Sequence, residues 1–175
     1  MKQLTFADAL IHDTLAEARA HVRKERMAQA GVRCPCCDLF VKVYRRKLNS
    51  GIARGLIALA HAHRAQNSSD FIHINDVLNV MVARKWRHPL APTAQIPLAR
   101  FWGLVETRAP DSPDKHSSGF WRLTESGYGF VYASKTIPKY VMLFNNMCMG
   151  LDGDLVNIDD CLGSGFKYRE LMEGV

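Results

Sequence analysis

Two short β-type segments with a polar loop between them constrain the fold of this 175-residue chain more than any other feature. Residues 104–108 (LVETR) and 120–124 (FWRLT) are rich in β-branched and aromatic side chains, which is typical of strands. The intervening residues 109–119 (APDSPDKHSSG) contain proline, serine and glycine, which favour turns. The pattern predicts a β-hairpin with a long tip.

Helical patterns precede this hairpin. Apolar residues recur at helical spacing over residues 49–66 and again over about 75–85, and a short β-branched run at 71–74 separates the two. The expected N-caps are Asn49 or Ser50 for the first helix and Asn75 or Asp76 for the second. We therefore expect a helix, a short strand and a second helix in that order.

A third, shorter helix is expected immediately before the hairpin, and a fourth after it. The prolines of residues 88–93 end the second helix, so the third begins at Thr93 or Ile96 and ends at Trp102 before Gly103. After the hairpin, Thr124 is suited to cap a helix that continues through Val131. Helices and a small hairpin together predict an α+β fold.

The two ends of the chain extend this central region. Residues 6–30 predict a long amphipathic helix, and residues 39–47 fit either a short strand or the start of a helix. Near the other end, residues 140–144 predict a strand, residues 150–154 a Gly-Asp-rich turn, and an acidic segment follows. The apolar stripe of the long helix has no partner of its own, which suggests packing on the core or a homodimer.

Three regions follow from this pattern. Residues 1–48 contain the N-terminal helix and a cysteine knuckle, residues 49–134 the central α+β domain, and residues 135–175 a strand-helix extension packed on the core.

The charge of the chain is unevenly distributed. The formal net charge is +6. Residues 1–105 hold 16 basic and 7 acidic side chains, a net of +9, whereas residues 106–175 hold 7 basic and 10 acidic, a net of −3. The basic half suits a phosphate backbone or an acidic protein surface, and a solvated helix face is the other interpretation.

Three of the five cysteines lie in the segment Cys34-Pro35-Cys36-Cys37. Cys34 and Cys37 have the spacing with which two thiolates bind one Zn²⁺, so a structural zinc site is one hypothesis and free thiols another. The segment also resembles a glutaredoxin motif. In addition, residues 136–141 resemble the T-V-P segment of that family. However, the redox motif should follow a strand, and here it follows a long helix, so a thiol oxidoreductase is the least favoured hypothesis.

The odd cysteine count is unlike a secreted disulfide framework, and residues 1–8 lack the apolar core of a signal peptide. No apolar run is long enough for a membrane helix. We therefore expect a cytoplasmic protein with no membrane partner.

The sequence around the hairpin carries a family resemblance. Residues 101–106 (FWGLVE), followed by residues 119–127 (GFWRLTESG), resemble the wing of winged helix-turn-helix proteins of the MarR type. The order of predicted elements over residues 49–134 is similar to that fold as well. Separately, Cys34–Cys37 together with residues 45–53 (RRKLNSGIA) resembles small uncharacterised proteins of phages and prophages, which implies no particular activity.

The winged-helix resemblance implies a duplex DNA interface. Arg84, Lys85 and Arg87 would contact the phosphate backbone beside a recognition helix. The implied recognition residues are Thr93, Gln95 and Arg100, and the implied wing residues are Arg108, Lys115, His116 and Arg122. The basic run Arg45, Arg46 and Lys47 would add phosphate contacts.

Common catalytic motifs are missing from the sequence, including glycine-rich phosphate loops, zinc-protease motifs and nucleophile elbows. We therefore expect a non-catalytic regulatory protein that binds nucleic acid. Double-stranded DNA is the favoured ligand, and the second resemblance suggests an association with a phage. The alternative is a protein-interaction module, such as a small phage-encoded inhibitor or adaptor that acts on an acidic host protein.

Overall fold

The computed structural model describes residues 15–25, 31–112, 114 and 117–173. These residues form helices and small antiparallel sheets, which confirms the α+β class. The chain divides into two compact units. Unit 1 comprises Met1–Arg45 and Met142–Met149, and unit 2 comprises Arg46–Val141 and Gly150–Val175. Most of residues 135–175 therefore share a unit with residues 49–134.

Helix α2 is the centre of unit 2. It spans Ser50–Ala65, and every residue from Ile52 to His63 is buried. It is the second described helix, after α1 (Leu15–Glu25). The side chain of Asn49 accepts a hydrogen bond from the Ile52 amide at 3.0 Å, which confirms this residue as the N-cap. A helix buried on all sides must be covered by several other elements, and those elements come from the rest of unit 2.

Three helical segments follow α2. They are α3 (Ile74–Ala83), α4 (Leu90–Gln95) and a 3₁₀ helix (Ile96–Trp102). Gly103 ends the last one in the left-handed conformation, with φ of 69°, as the sequence predicts. Gly55 lets this region approach α2 closely, because a Cβ there would lie 2.7 Å from Cγ1 of Ile96.

The predicted start of α3 is wrong, and one further helix in this region was not predicted. Helix α3 begins at Ile74, so its N-cap is His73, two residues before the expected Asn75, and the His73 side chain accepts from the Asn75 amide at 3.3 Å. The expected third helix is the 3₁₀ helix from Ile96 to Trp102, which matches one of the two expected starts, but the unpredicted helix α4 precedes it, from Leu90 to Gln95. Prolines at the start of a helix remove only amides that have no partner within the helix, so Pro92 does not prevent it.

A three-stranded sheet contains the predicted hairpin. Its strands are β4 (Ile72–His73), β5 (Val105–Thr107) and β6 (Phe120–Leu123), in the order β4-β6-β5. Strand β6 is antiparallel to both neighbours. The inward side chains of Trp121 and Leu123 are buried, which fixes the register of the hairpin against the core.

After the hairpin, α5 (Glu125–Val131) begins at the predicted N-cap Thr124, whose hydroxyl accepts from the Gly127 amide at 3.0 Å. Strands β7 (Ile137–Phe144) and β8 (Met147–Val156) then form a long hairpin, and β3 (Tyr44–Lys47) joins a sheet of order β3-β7-β8. Helices α6 (Ile158–Leu162) and α7 (Tyr168–Met172) pack on α2.

The predicted turn at residues 150–154 is wrong, because these residues lie within β8. The chain turns instead at Asn145 and Asn146, whose φ angles are 47° and 57°. A two-residue hairpin loop with both residues at positive φ suits the twist of the flanking strands, and asparagine tolerates that conformation.

Unit 1 contains α1 and the cysteine segment. Strands β1 (Val32–Arg33) and β2 (Phe40–Val41) pair antiparallel around that segment. Residues 39–47 thus contribute strands rather than a helix start. The long helix predicted over residues 6–30 is helical over its described part, where Ala18 is buried and Leu15 is 56% exposed. Residues 6–14 and 26–30 lie outside the described residues. None of the described helices is long and apolar enough to span a membrane.

Candidate nucleic-acid interface

The turn after α3 places three predicted cations on the surface. Arg84, Lys85 and Arg87 are all exposed. Lys85 is left-handed, with φ of 55°, and the Trp86 amide donates to the Met81 carbonyl at 2.9 Å across it. This geometry closes the C-terminal end of α3 in the way a glycine often does. Arg84 also donates from Nη1 to the Glu173 carbonyl at 2.6 Å.

These three cations line one pocket, which we call the Arg54 pocket. Its volume is about 390 Å³, and its walls come from the turn after α3, the C-terminal segment and α2. The lining residues are Arg54, Arg84, Lys85, Trp86, Arg87, Ser164, Gly165, Phe166, Lys167, Glu170 and Leu171. All of them belong to unit 2.

Arg54 is the buried member of this set. It is 5% exposed, and its Nη2 donates to the Arg87 carbonyl. Its guanidinium carbon lies 4.2 Å from the ring centre of Phe166 and 5.9 Å from that of Trp86. Burial lowers the pKa of Arg54 below its usual value, because desolvation disfavours the charged form.

The segment predicted as a recognition helix offers little polar surface. Thr93 is 5% exposed and its hydroxyl donates to the Leu90 carbonyl at 2.9 Å, so it does not present a group to a base edge. Gln95 is half-buried beside Gly51. Arg100 is exposed, with its guanidinium carbon 4.6 Å from the Phe101 ring centre. The first residue of the segment, Leu90, is apolar and 68% exposed.

The described cations of the hairpin form ion pairs with nearby carboxylates and pack against aromatic rings. Arg122 donates from Nε to the Glu106 carboxylate at 2.6 Å, and its guanidinium carbon lies 4.5 Å from the ring centre of Phe71. The guanidinium carbon of Arg108 lies 3.9 Å from the Phe120 ring centre, and its Nη2 lies 3.7 Å from Oδ2 of Asp111. Lys115 and His116 lie outside the described residues. The hairpin therefore presents cations whose charge is partly neutralised.

The basic run Arg45, Arg46 and Lys47 is exposed along strand β3. Arg45 belongs to unit 1, whereas Arg46 and Lys47 belong to unit 2.

The cysteine segment forms a tight loop in unit 1. The Asp38 amide donates to the Cys34 carbonyl at 2.8 Å, and the Cys34 amide donates to the Leu39 carbonyl at 2.9 Å. Backbone amides of Cys36 and Cys37 donate to the Cys34 sulfur and lower the pKa of its thiol. The pKa of Cys36 is raised, mainly by desolvation and by the neighbouring Cys34. The loop thus favours one thiolate, at Cys34.

These thiols are the metal-ligand candidates. Among the described residues, no group of three or more His, Cys, Asp and Glu side chains is arranged to hold a metal ion. Cys148 is exposed in unit 1, and Cys161 is buried in unit 2, where burial raises the pKa of its thiol to about 12. Zinc binding by Cys34 and Cys37 therefore stays a prediction, with two candidate ligands.

Two buried histidines of α2 form separate contacts within unit 2. His61 Nε2 donates to the Leu171 carbonyl at 2.7 Å, and His63 Nε2 donates to the Asp70 carbonyl at 3.1 Å. The Tyr128 hydroxyl donates to Nδ1 of His63 at 2.6 Å. Burial lowers the pKa of both imidazoles. The sequence did not single out Tyr128 or Arg54, although an arginine within an Ala- and Leu-rich apolar helix was the available signal for the latter.

Comparison with protein families, with curated proteins and with solved structures finds no match for this chain.

Proposed function

We propose that residues 50–131 form a winged helix-turn-helix that binds duplex nucleic acid. The observation that carries the proposal is the topology of unit 2, in which α2, β4, α3, α4 with its 3₁₀ helix, β5 and β6 follow one another and the strands take the order β4-β6-β5. In this interpretation the β5–β6 hairpin is the wing, and the segment from Leu90 to Trp102 is the recognition helix.

The exposed cations supply the phosphate contacts in this proposal. Arg84, Lys85 and Arg87 cluster on the turn that precedes the recognition segment, and Arg100 lies at its far end. Phosphate contacts give affinity without reading sequence, so the interface favours non-specific anchoring over base readout. Arg100 is the exposed side chain that remains for contact with bases, since Thr93 is buried and the Gln95 amide packs against Gly51 with its Oε1 buried.

The test is fluorescence anisotropy of the full chain with a labelled random-sequence duplex, repeated over a salt series. We expect binding that weakens steeply with salt, with a log-log slope that falls by about 0.9 for each phosphate contact removed. The double variants R84A/R87A and R100A/R122A should each lower duplex affinity and flatten the slope.

A matched control removes two exposed cations elsewhere in unit 2. K135A/R169A makes the same change in net charge, and neither residue lines the Arg54 pocket. Equal losses in the control and in R84A/R87A would indicate a general charge effect and contradict the proposed surface. Unchanged affinity in R100A/R122A would contradict the winged-helix orientation.

A protein partner is the second candidate, and one observation favours it. The surface of the recognition segment is largely apolar, with Leu90 68% exposed and Ala91 and Ala94 exposed beside it. Exposed apolar groups that lie together commonly mark contacts with proteins. If anisotropy shows no duplex binding at low salt, a protein partner becomes the favoured candidate, and the cations would then contact an acidic protein surface.

A further inference from the structure

A buried guanidinium without a carboxylate partner lies in the wall of the Arg54 pocket. Within the part of the chain that the structure describes, Arg54 forms no ion pair with an Asp or Glu side chain. One of its N–H groups donates to the Arg87 carbonyl, and Nε has no hydrogen-bond partner. A buried charge is costly unless an opposite charge compensates it. An anion in the pocket would provide that compensation.

The rest of the pocket has the same sign of charge. Arg84, Lys85, Arg87 and Lys167 line it together with Arg54, so five cationic side chains face a single carboxylate, that of Glu170. That carboxylate already accepts a hydrogen bond from Lys167 Nζ at 2.9 Å. Several cations that converge on one concave site, with low-dielectric walls on one side, concentrate anions there. Of the common biological anions, a phosphate group makes best use of a forked guanidinium with further cations around it.

Two aromatic rings add an apolar, planar surface to the pocket. Phe166 and Trp86 are half-buried and both line it. Trp86 packs edge-on against His61, at 5.9 Å between ring centres and an interplanar angle of 81°, which holds the indole in place. Aromatic rings beside cations suit a ligand that carries both a base and a phosphate. The volume of about 390 Å³ is that of a site for one small molecule.

We propose that the Arg54 pocket binds the phosphate monoester of a nucleotide, with the phosphate near Arg54 and the rim cations and the base against Trp86. The pocket shares Arg84, Lys85 and Arg87 with the proposed duplex interface, whereas the buried Arg54 is assigned to the pocket alone. The same chemistry is present in a free mononucleotide and at the 5′-phosphorylated end of a single strand.

The test is isothermal titration calorimetry of the full chain with adenosine monophosphate, adenosine and inorganic phosphate. Adenosine monophosphate should bind at least about tenfold more tightly than adenosine, since hydrogen bonds to a charged group contribute substantially to affinity. Substitution R54M should lower the affinity for adenosine monophosphate by about ten- to hundredfold. Equal binding of adenosine and its monophosphate would overturn the proposal, as would the absence of binding at millimolar ligand.

A second variant tests the pocket independently, in case R54M does not fold. K85A/K167A removes two exposed rim cations and should lower affinity several-fold while the thermal unfolding midpoint stays near that of the parent chain. The control K135A/R169A should leave the affinity for adenosine monophosphate unchanged. If R54M folds, melts normally and binds as tightly as the parent chain, the proposal is wrong.

Two further titrations distinguish the sources of the phosphate and test whether Arg54 serves the pocket alone. A tetranucleotide with a 5′-phosphate should bind more tightly than its 5′-hydroxyl counterpart if the pocket takes strand ends. If only the mononucleotide binds, the site takes the free nucleotide, and the proposal stands in that form. R54M should keep its affinity for the random-sequence duplex, so a loss of duplex binding in R54M would contradict the assignment of Arg54 to the pocket alone.

Discussion

The hydroxyl of Tyr128 lies 2.6 Å from Nδ1 of His63, across 65 residues of sequence. The Asp70 carbonyl lies 3.1 Å from Nε2 of the same imidazole. A carbonyl can only accept, so Nε2 carries the proton and Nδ1 accepts from the tyrosine. This arrangement fits the neutral imidazole and ties helix α5 to the centre of unit 2.

The neutral state of His63 makes the fold acid-sensitive. Burial lowers the pKa of His63 in the folded chain, so below its ordinary pKa of about 6.5 the unfolded chain binds the extra proton more readily. The stability contribution is therefore present above about pH 6.5 and is lost as the pH falls through the folded pKa. We expect the free energy of unfolding, measured by urea denaturation, to decline as the pH falls below about 6.5, at up to about 1.4 kcal/mol per pH unit for one proton.

Two variants show whether His63 is the cause. H63Q should be less stable at pH 7 but should lose less stability on acidification, because one titrating group has been removed. H88N changes an exposed histidine and should leave the slope as it is in the parent chain. An H63Q slope equal to the parent slope would assign the acid sensitivity elsewhere, with the buried His61 as the next candidate.

Removal of the Tyr128 hydroxyl tests the same contact from the other side. Y128F keeps the ring that stacks on Tyr132, at 6.4 Å between ring centres, but leaves Nδ1 of His63 without its donor. A buried polar atom that loses its partner costs about 1–3 kcal/mol. We expect a loss of that size in the free energy of unfolding, measured by urea denaturation. Y132F, which alters an exposed tyrosine, should change stability little.

The local features of unit 2 could be predicted from the sequence, because they depend on neighbouring residues. Asn49 and Thr124 cap their helices through side-chain oxygens that reach an amide three residues ahead. Gly103 ends the 3₁₀ helix because glycine adopts positive φ at little cost. These signals lie within a few residues of the structure that they determine.

The features that the sequence did not predict depend on distant residues. Thr93 is polar and was expected at a base edge, but packing on α2 buries it. The glycines and aspartates of residues 150–154 favour a turn, yet pairing with β7 keeps them in a strand. The importance of Arg54 depends on Phe166, which is distant in sequence and lies against its guanidinium. Periodicity alone does not reveal such contacts.

Gly127 offers a sharp test of packing between α5 and the hairpin. A Cβ at this position would lie 2.0 Å from the Leu104 carbonyl oxygen, which also accepts from the Thr124 amide at 3.1 Å. G127A should therefore lower the free energy of unfolding by about 1–3 kcal/mol, despite the better helix propensity of alanine. In the same helix, a Cβ at Gly129 would meet only exposed side chains, those of Lys135 at 3.3 Å and Ser134 at 3.5 Å. G129A should be neutral or stabilising by up to about 1 kcal/mol, and equal losses in both variants would contradict the packing argument.

The cysteines should differ widely in reactivity. Amide donors lower the pKa of Cys34, so a larger share of this thiol is the reactive thiolate at neutral pH. The raised pKa of Cys36 slows its alkylation, and Cys161, buried with a pKa of about 12, should react only on unfolding. Iodoacetamide labelling of chelator-treated, metal-free protein at pH 7, followed by peptide mass spectrometry, should give the order Cys34, then Cys36, then Cys161. Faster labelling of Cys36 than of Cys34 would contradict the loop geometry.

Zinc binding by the cysteine loop is the remaining prediction from the sequence. Zinc takes four ligands in structural sites, and Cys34 and Cys37 supply two. We expect protein purified without chelator to contain zinc by elemental analysis, and C34S/C37S to contain none. About one zinc per chain would mean that one chain completes the site, whereas about one per two chains would mean that two copies share the ion through paired loops. Zinc should also protect Cys34 and Cys37, but not Cys161, from slow alkylation in urea, since a coordinated thiolate is not free to react. A metal content near zero in the parent protein would leave the loop as a set of free thiols, in which the backbone amides alone activate Cys34.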